Sequence, residues 1–187
     1  MKILETSLRD VKLIQPKRFG DDRGWFAEVY NQPFFAANGL PTAFAQDNQS
    51  FSAKGVLRGL HYQLGKPQGK LVRCLSGHIW DVAVDIRRSS SQFGKFAGFH
   101  LKPLDDDGEL NMLWIPEGFA HGFLVLSDTA EVLYKTTDLY HPPGERSIRW
   151  DDPTLNIPWP LELLGGMAPS VSGKDAKGQD YTEAELP

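Results

Sequence analysis

Two neighbouring runs of this chain put ionisable groups into segments that otherwise read as apolar strands. The first is Val56-Leu57-Arg58-Gly59-Leu60-His61-Tyr62-Gln63 and the second is Gln68-Gly69-Lys70-Leu71-Val72-Arg73. His61 is the best candidate for a general base, because an imidazole titrates near neutrality. Read without context, it is equally a histidine hydrogen-bonded in a wall. Lys70 follows a glycine and begins an apolar strand, where a lysine is more often a solvated strand end. Arg58 and Arg23 carry planar guanidinium forks of the kind that bind phosphate, although Arg23, in Phe19-Gly20-Asp21-Asp22-Arg23-Gly24, reads by default as a turn-region surface charge. Tyr134 lies in an apolar Leu-Tyr-Lys context, where a phenol needs a partner and is often only structural.

The elements that must position these groups are mostly strands. Short runs rich in β-branched and aromatic residues alternate with Gly, Pro, Asn and Asp. They predict strands near Phe26–Tyr30, Thr42–Phe51, Val56–Gln63, Lys70–Ser76, Ile79–Ile86, Phe96–Leu101, Leu110–Ile115, Gly122–Ser127 and Glu131–Asp138. Gln32–Asn38, stopped by Gly39, predicts a short helix. In Ile79–Ile86, alternation puts Trp80, Val82, Val84 and Ile86 on one face and Asp81, Ala83 and Asp85 on the other. That second face is either solvated or a pocket, and each aspartate is as readily the partner of an arginine such as Arg73 or Arg87. Alternation also sets Arg58 opposite His61, which calls for a bulge, a long reach or a site assembled at a subunit contact. Strands at this spacing with few helices predict a sandwich or barrel.

Composition narrows the class. The 187 residues suit one domain with a real core. A net charge of −4 gives no nucleic-acid footprint. The single cysteine, Cys74, lies in an apolar run and reads as a small buried hydrophobe in a reducing compartment. The N-terminus lacks a signal pattern, and no apolar run reaches the roughly 20 residues of a membrane span, so a soluble cytoplasmic protein is expected. Neither a dinucleotide fingerprint, a phosphate loop nor a Gly-x-Ser-x-Gly elbow occurs, so phosphate must be held by side chains and a serine hydrolase is not expected.

Together with Ile115-Pro116-Glu117-Gly118-Phe119-Ala120-His121-Gly122-Phe123 and Val132-Leu133-Tyr134-Lys135-Thr136-Thr137-Asp138-Leu139-Tyr140, the opening runs resemble the dTDP-4-dehydrorhamnose 3,5-epimerase family of cupin-like sugar-nucleotide epimerases. The likeness runs from about Ile14 to Trp159, with a short echo at Ser172-Gly173-Lys174-Asp175. It implies an all-β, cupin-like jelly-roll barrel with a few short helices: one domain over residues 1–187 with a C-terminal extension from about 160. It also implies roles. His61 would be the base, oriented by Asp175, with Asp81 and Asp85 as competitors for that place. Tyr134 would be the proton donor on the opposite face, and Lys70 would stabilise the substrate oxyanion. Arg23 and Arg58 would hold the diphosphate, and Gln46 and Asn48 the nucleotide. Glu28 and Phe19 would lie near thymine and sugar, and Tyr140 and His121 would line the pocket, with a satisfied turn or core histidine nearly as good an account of His121.

The resemblance implies a homodimer in which the N-terminal strands, with Arg23 and Glu28, reach the partner's pocket. The implied reaction inverts C3 and C5 of dTDP-4-dehydro-6-deoxy-D-glucose through an enolate, giving dTDP-4-dehydro-L-rhamnose for dTDP-L-rhamnose biosynthesis. It needs neither a cofactor nor a metal. Metal cupins present a His-x-His pair before Pro-x-Gly-x-x-His, and this chain has His61 and Gln63 followed by Pro116, Gly118 and His121. No metal is therefore expected, although Asp81 or Asp85 would offer an oxygen ligand. The rivals are an epimerase acting at C3 or C5 alone, a metal-dependent cupin oxygenase, and a non-catalytic binding module.

Overall fold

The computed structural model describes residues 1–103 and 111–187. Fourteen strands and one α-helix follow one another among these residues. In chain order they are β1 (Lys2–Glu5), β2 (Lys12–Gln15), β3 (Arg18–Asp21), β4 (Gly24–Ala27), α1 (Gln32–Ala37), β5 (Gln46–Ala53), β6 (Val56–Gln63), β7 (Lys70–Ser76), β8 (Ile79–Asp85), β9 (Phe96–Leu101), β10 (Met112–Ile115), β11 (Phe119–Val125), β12 (Thr129–Thr136), β13 (Glu145–Ser147) and β14 (Ser170–Val171). Two sheets face each other, in the orders β1-β2-β10-β7-β12-β5 and β13-β6-β11-β8-β9. Among the described strands pairing is antiparallel except where β14 joins β6. The strand spacing predicts a sandwich or barrel, and this is the jelly roll that the family resemblance implies.

Each sheet buries its inner face and part of its outer face, the outer side of β5 staying exposed. Between the sheets, Val72, Cys74 and Leu113 of the first meet Ile79, Ala83, Phe123 and Val125 of the second. Burial pushes the Cys74 thiol up to about 12, so it behaves as an inert core residue. On the outer side of the second sheet, Trp80, Val82, Val84 and Ile86 pack beneath the C-terminal segment, including Trp159, Tyr181 and Ala184. Helix α1 covers the outer side of the first sheet, where Phe35 packs with Ile14, Leu71 and Trp114. Asn31 caps α1 by accepting from the Phe34 N–H, and the helix stops where Gly39 turns to φ +67°.

Several boundaries differ from the sequence expectation. Of the expected strand Phe26–Tyr30 only Phe26 and Ala27 are strand residues, at the end of β4, which pairs with β3 in a hairpin turned at Asp22 and Arg23. β5 starts at Gln46 rather than Thr42, β11 begins at Phe119, and β12 spans Thr129–Thr136. Of the expected strand Leu110–Ile115, Leu110 lies outside the described residues and β10 begins at Met112. β1, β2, β13 and β14 are short and lack a period-2 signal of their own, so neighbouring strands decide them. The polar tail Ser172–Pro187, rich in Gly, Lys, Asp and Glu, reads from composition as loosely held at its end, but it is anchored. The Tyr62 hydroxyl donates to the Glu185 carbonyl, the Tyr181 N–H donates to Asp152, and the Arg88 N–H donates to the Pro187 carbonyl.

Candidate active site

The inner faces part at one end of the sandwich and leave a polar cavity with two adjoining lobes of about 200 and 230 Å³. His61, Lys70, Tyr134 and Glu145 line both lobes. Gln46, Asn48, Gln63, Gln68 and Tyr140 wall the outer lobe. Arg58, Ser50, His121 and Phe123 wall the inner one. Asp175 lies behind His61. The structure thus brings together eight of the expected site residues around one cavity, with Asp175 as a ninth behind them. Phe19, Arg23 and Glu28 are not among them: Phe19 and Arg23 belong to the β3–β4 hairpin, and Glu28 follows it.

A one-residue bulge in β6 sets Arg58 and His61 on the same side. His61 pairs with His121 while Arg58 pairs with Phe123, so β6 spends one residue more than β11 over this interval. The extra residue returns both side chains to the cavity face while Leu57 and Leu60 remain in the outer core. Gly59 makes this possible. Its φ is +120°, and a Cβ there would lie 2.5 Å from the Gly122 Cα.

One imidazole nitrogen of His61 is hydrogen-bonded to the Asp175 carboxylate, which is 4% exposed and also accepts from Ser172 at 2.9 Å. Burial acts to raise the Asp175 pKa, but the bonds from His61 and Ser172 outweigh it and hold the group below its ordinary value. The carboxylate therefore stays ionised and leaves the other ring nitrogen as the basic one. Asp81 and Asp85, the competitors for this place, are spent elsewhere. Asp81 accepts from His121 at 2.9 Å, and Asp85 accepts from Arg87 at 2.7 Å and Ser90 at 2.6 Å. Burial lowers the His121 pKa despite Asp81, so at neutral pH this imidazole is uncharged, with its lone pair on the nitrogen not bonded to Asp81.

Lys70 is 9% exposed, and burial pulls its pKa down to about 8, with Asp81 and Glu145 opposing the shift. Burial raises the Tyr134 pKa while Arg58 partly offsets it, so the phenol remains protonated. Tyr134 and Lys70 come from adjacent strands of the first sheet, and His61 comes from the facing sheet. The Arg58 guanidinium rests on the Ser52 hydroxyl at 3.0 Å. Gln46 donates to Asn48 at 2.8 Å and accepts from the Tyr140 N–H at 3.0 Å.

Glu145 has no mark in the sequence, because it sits on the three-residue β13 after a Pro-Pro-Gly turn. It accepts from the Tyr140 hydroxyl at 2.5 Å and pairs with Lys174. Burial would raise its pKa, but these two donors hold it below the usual range. Among the described residues no three His, Cys, Asp or Glu side chains cluster as a metal site.

Fold and cavity define a cupin-like jelly-roll protein whose polar pocket opens between its two sheets. A family model described as dTDP-4-dehydrorhamnose 3,5-epimerase matches residues 5–183, and the chain belongs to that family. The Pseudomonas aeruginosa dTDP-4-dehydrorhamnose 3,5-epimerase is 51% identical, covering 99% of this chain and 98% of its own. The Legionella pneumophila dTDP-6-deoxy-D-glucose-3,5-epimerase, solved with dTDP-4-keto-L-rhamnose, superposes with a TM-score of 0.91 at 45% identity over 100% of this chain and 97% of its own. A Streptomyces bikiniensis 3'-monoepimerase superposes at 0.86 with 28% identity, over 98% and 92%.

Proposed function

We propose that the chain inverts C3 and C5 of dTDP-4-dehydro-6-deoxy-D-glucose to give dTDP-4-dehydro-L-rhamnose, as a step towards dTDP-L-rhamnose. The observation that carries the reading is the placement of His61 and Tyr134 on opposing sheets across one cavity, with Lys70 beside Tyr134. Inversion next to a carbonyl needs those three groups in that relation. His61 takes the proton from one face of the sugar, and Asp175 stabilises the imidazolium that results. Charge moves onto the C4 oxygen, where the Lys70 ammonium, itself only 9% exposed, meets it. Tyr134, held as a neutral phenol, returns a proton to the other face. The 4-keto group itself acidifies C3–H and C5–H, so base, acid and ammonium supply the chemistry without a cofactor. The identity of 51% to a 3,5-epimerase against 28% to a monoepimerase favours inversion at both carbons.

The test is turnover in D₂O, followed by NMR. Deuterium is expected at both C3 and C5, with L-rhamno product. Label at one carbon alone would make the enzyme a monoepimerase, and no label at either would sink the enolate route. Tyr134→Phe separates the two half-reactions. Epimerisation is expected to fall by about 100-fold, while exchange on the His61 face persists with retention of configuration. Equal loss of exchange and inversion would remove Tyr134 as the acid.

The β3–β4 hairpin supports a homodimer in which each copy completes the other's pocket. A lone two-stranded hairpin is marginal in water, yet here Phe19, Trp25 and Phe26 are 54%, 46% and 68% exposed and the Arg23 side chain 90%. An arginine meant for a diphosphate, placed on a projecting aromatic arm, fits a second copy of the chain. Arg23→Glu and His61→Ala are each expected to be inactive alone, and mixing them under subunit exchange should restore turnover. Absence of rescue in a mixed dimer would confine the site to one chain. A cytoplasmic location accords with a nucleotide-sugar substrate, and no helix among the described residues is long and apolar enough to cross a membrane.

A further inference from the structure

After β12 ends at Thr136 the chain leaves the sheet, and its last sheet-like bond is from the Thr137 N–H to the Gly69 carbonyl. The next residues run along the cavity mouth with little apolar burial: Leu139 and Tyr140 are 52% and 51% exposed. Their backbone is held instead by side chains: Thr136 donates to the Asp138 carbonyl, Asp138 accepts from the Leu139 N–H, and three glutamines from separate places in the fold add four more bonds. Gln68, in the β6–β7 loop, donates to the Asp138 carbonyl at 2.8 Å. Gln63, at the end of β6 and 8% exposed, donates to the Leu139 carbonyl at 3.3 Å and accepts from the His141 N–H at 2.9 Å. Gln46, at the start of β5, accepts from the Tyr140 N–H at 3.0 Å.

We infer that Gln46, Gln63 and Gln68 form a cradle of positioning residues that replaces the lost sheet bonds and fixes Tyr140 as a wall of the substrate pocket. The inference rests on the proposed epimerase reading for its kinetic consequence, though not for its geometry. Only an amide suits Gln63. It offers N–H to two carbonyls, those of Leu139 and Lys66, and oxygen to one N–H, so donor and acceptor are both used. A carboxylate of the same shape would set its oxygens against those carbonyls in a buried place. A poorly held loop would let Tyr140 leave its bond to Glu145 and cost binding, while His61, Lys70 and Tyr134, which stand on strands, would keep their places.

The decisive experiment is Gln63→Glu, made alone and in a Tyr140→Ala background. In the single variant, KM for dTDP-4-keto-6-deoxyglucose is expected to rise about tenfold, the effect of one lost buried hydrogen bond, with kcat little changed. In the Tyr140→Ala background the same substitution should raise KM by much less, because the residue through which it mainly acts is gone. Equal increases in both backgrounds, or a loss confined to kcat, would overturn the inference. Hydrogen exchange of the Tyr140 and His141 amides reads the cradle without substrate. Both should exchange at least about tenfold faster in Gln63→Glu, with β11 and β12 amides unchanged. Unaltered exchange at these two amides would overturn the cradle. If instead the wild type fails to turn over the sugar nucleotide, the epimerase reading falls, and amide exchange alone still decides the cradle.

Discussion

His61→Asn is expected to lower kcat by about 10⁴-fold while leaving the fold and nucleotide binding intact. Asparagine keeps a polar side chain facing the Asp175 carboxylate but has no basic nitrogen. Asp175, 4% exposed and still bonded to Ser172, is left without an imidazolium to stabilise. C–H exchange should therefore disappear at both carbons together, since one base serves both. The measurement is the rate of deuterium incorporation beside the rate of product formation, with the thermal transition as the control for folding. Activity within tenfold of the wild type would take His61 out of the reaction. Asp175→Asn should fall between the two, because the base is then present but less well oriented and its cation less well stabilised.

Lys70→Met is expected to lower kcat by 10²–10³-fold, roughly the worth of one preorganised donor at an oxyanion, and yet to make the protein more stable at pH 7. The lysine is a base whose folded pKa, about 8, lies below its unfolded value of 10.5. Below about pH 8 the folded state carries a buried cation that the unfolded chain would rather solvate. This penalty is of order 3 kcal/mol. As pH rises from about 8 to 10.5 the folded protein sheds the proton first, the unfolded state holds more protons, and the penalty fades. Methionine fills the space without the charge, so Tm should rise by about 5 °C near neutrality, with the gap to wild type closing above pH 8. The wild-type kcat/KM should also decline on the alkaline side near pH 8, as the free enzyme loses the ammonium. A variant both inactive and less stable would show that Lys70 serves packing rather than charge stabilisation. The protein gives up stability here to keep a cation where the reaction needs one.

Strands rich in apolar alternation were legible residue by residue. β6, β7 and β9 fall on their expected limits, and β8, one residue shorter than expected, shows with the following Ile86 the predicted split between Trp80, Val82, Val84 and Ile86 outside and Asp81, Ala83 and Asp85 inside. The division of the aspartates was not legible. Asp85 serves Arg87, Asp81 serves His121, and the carboxylate behind His61 comes from position 175, more than a hundred residues along the chain. Asp175 was marked only by the short family echo at Ser172-Gly173-Lys174-Asp175, and its contact with His61 is made when β14 docks alongside β6.

The sequence by itself determined the inventory: an imidazole, an ammonium, a phenol and an arginine on apolar strands, a second arginine in a turn, and the period-2 pattern that must fold the strands into facing sheets. It also posed the conflict between Arg58 and His61, since strict alternation sends them apart. Tertiary structure decided how that conflict ends, with an extra residue at Gly59 where β6 passes β11. It decided as well that Gln46, Gln63 and Gln68 converge on one loop and that Glu145 and Lys174 meet beside Tyr140. Periodicity is a property of neighbours in the chain and survives in the sequence. Register, bulges and polar pairing depend on which strands come to lie side by side, and only the assembled sheets contain that information.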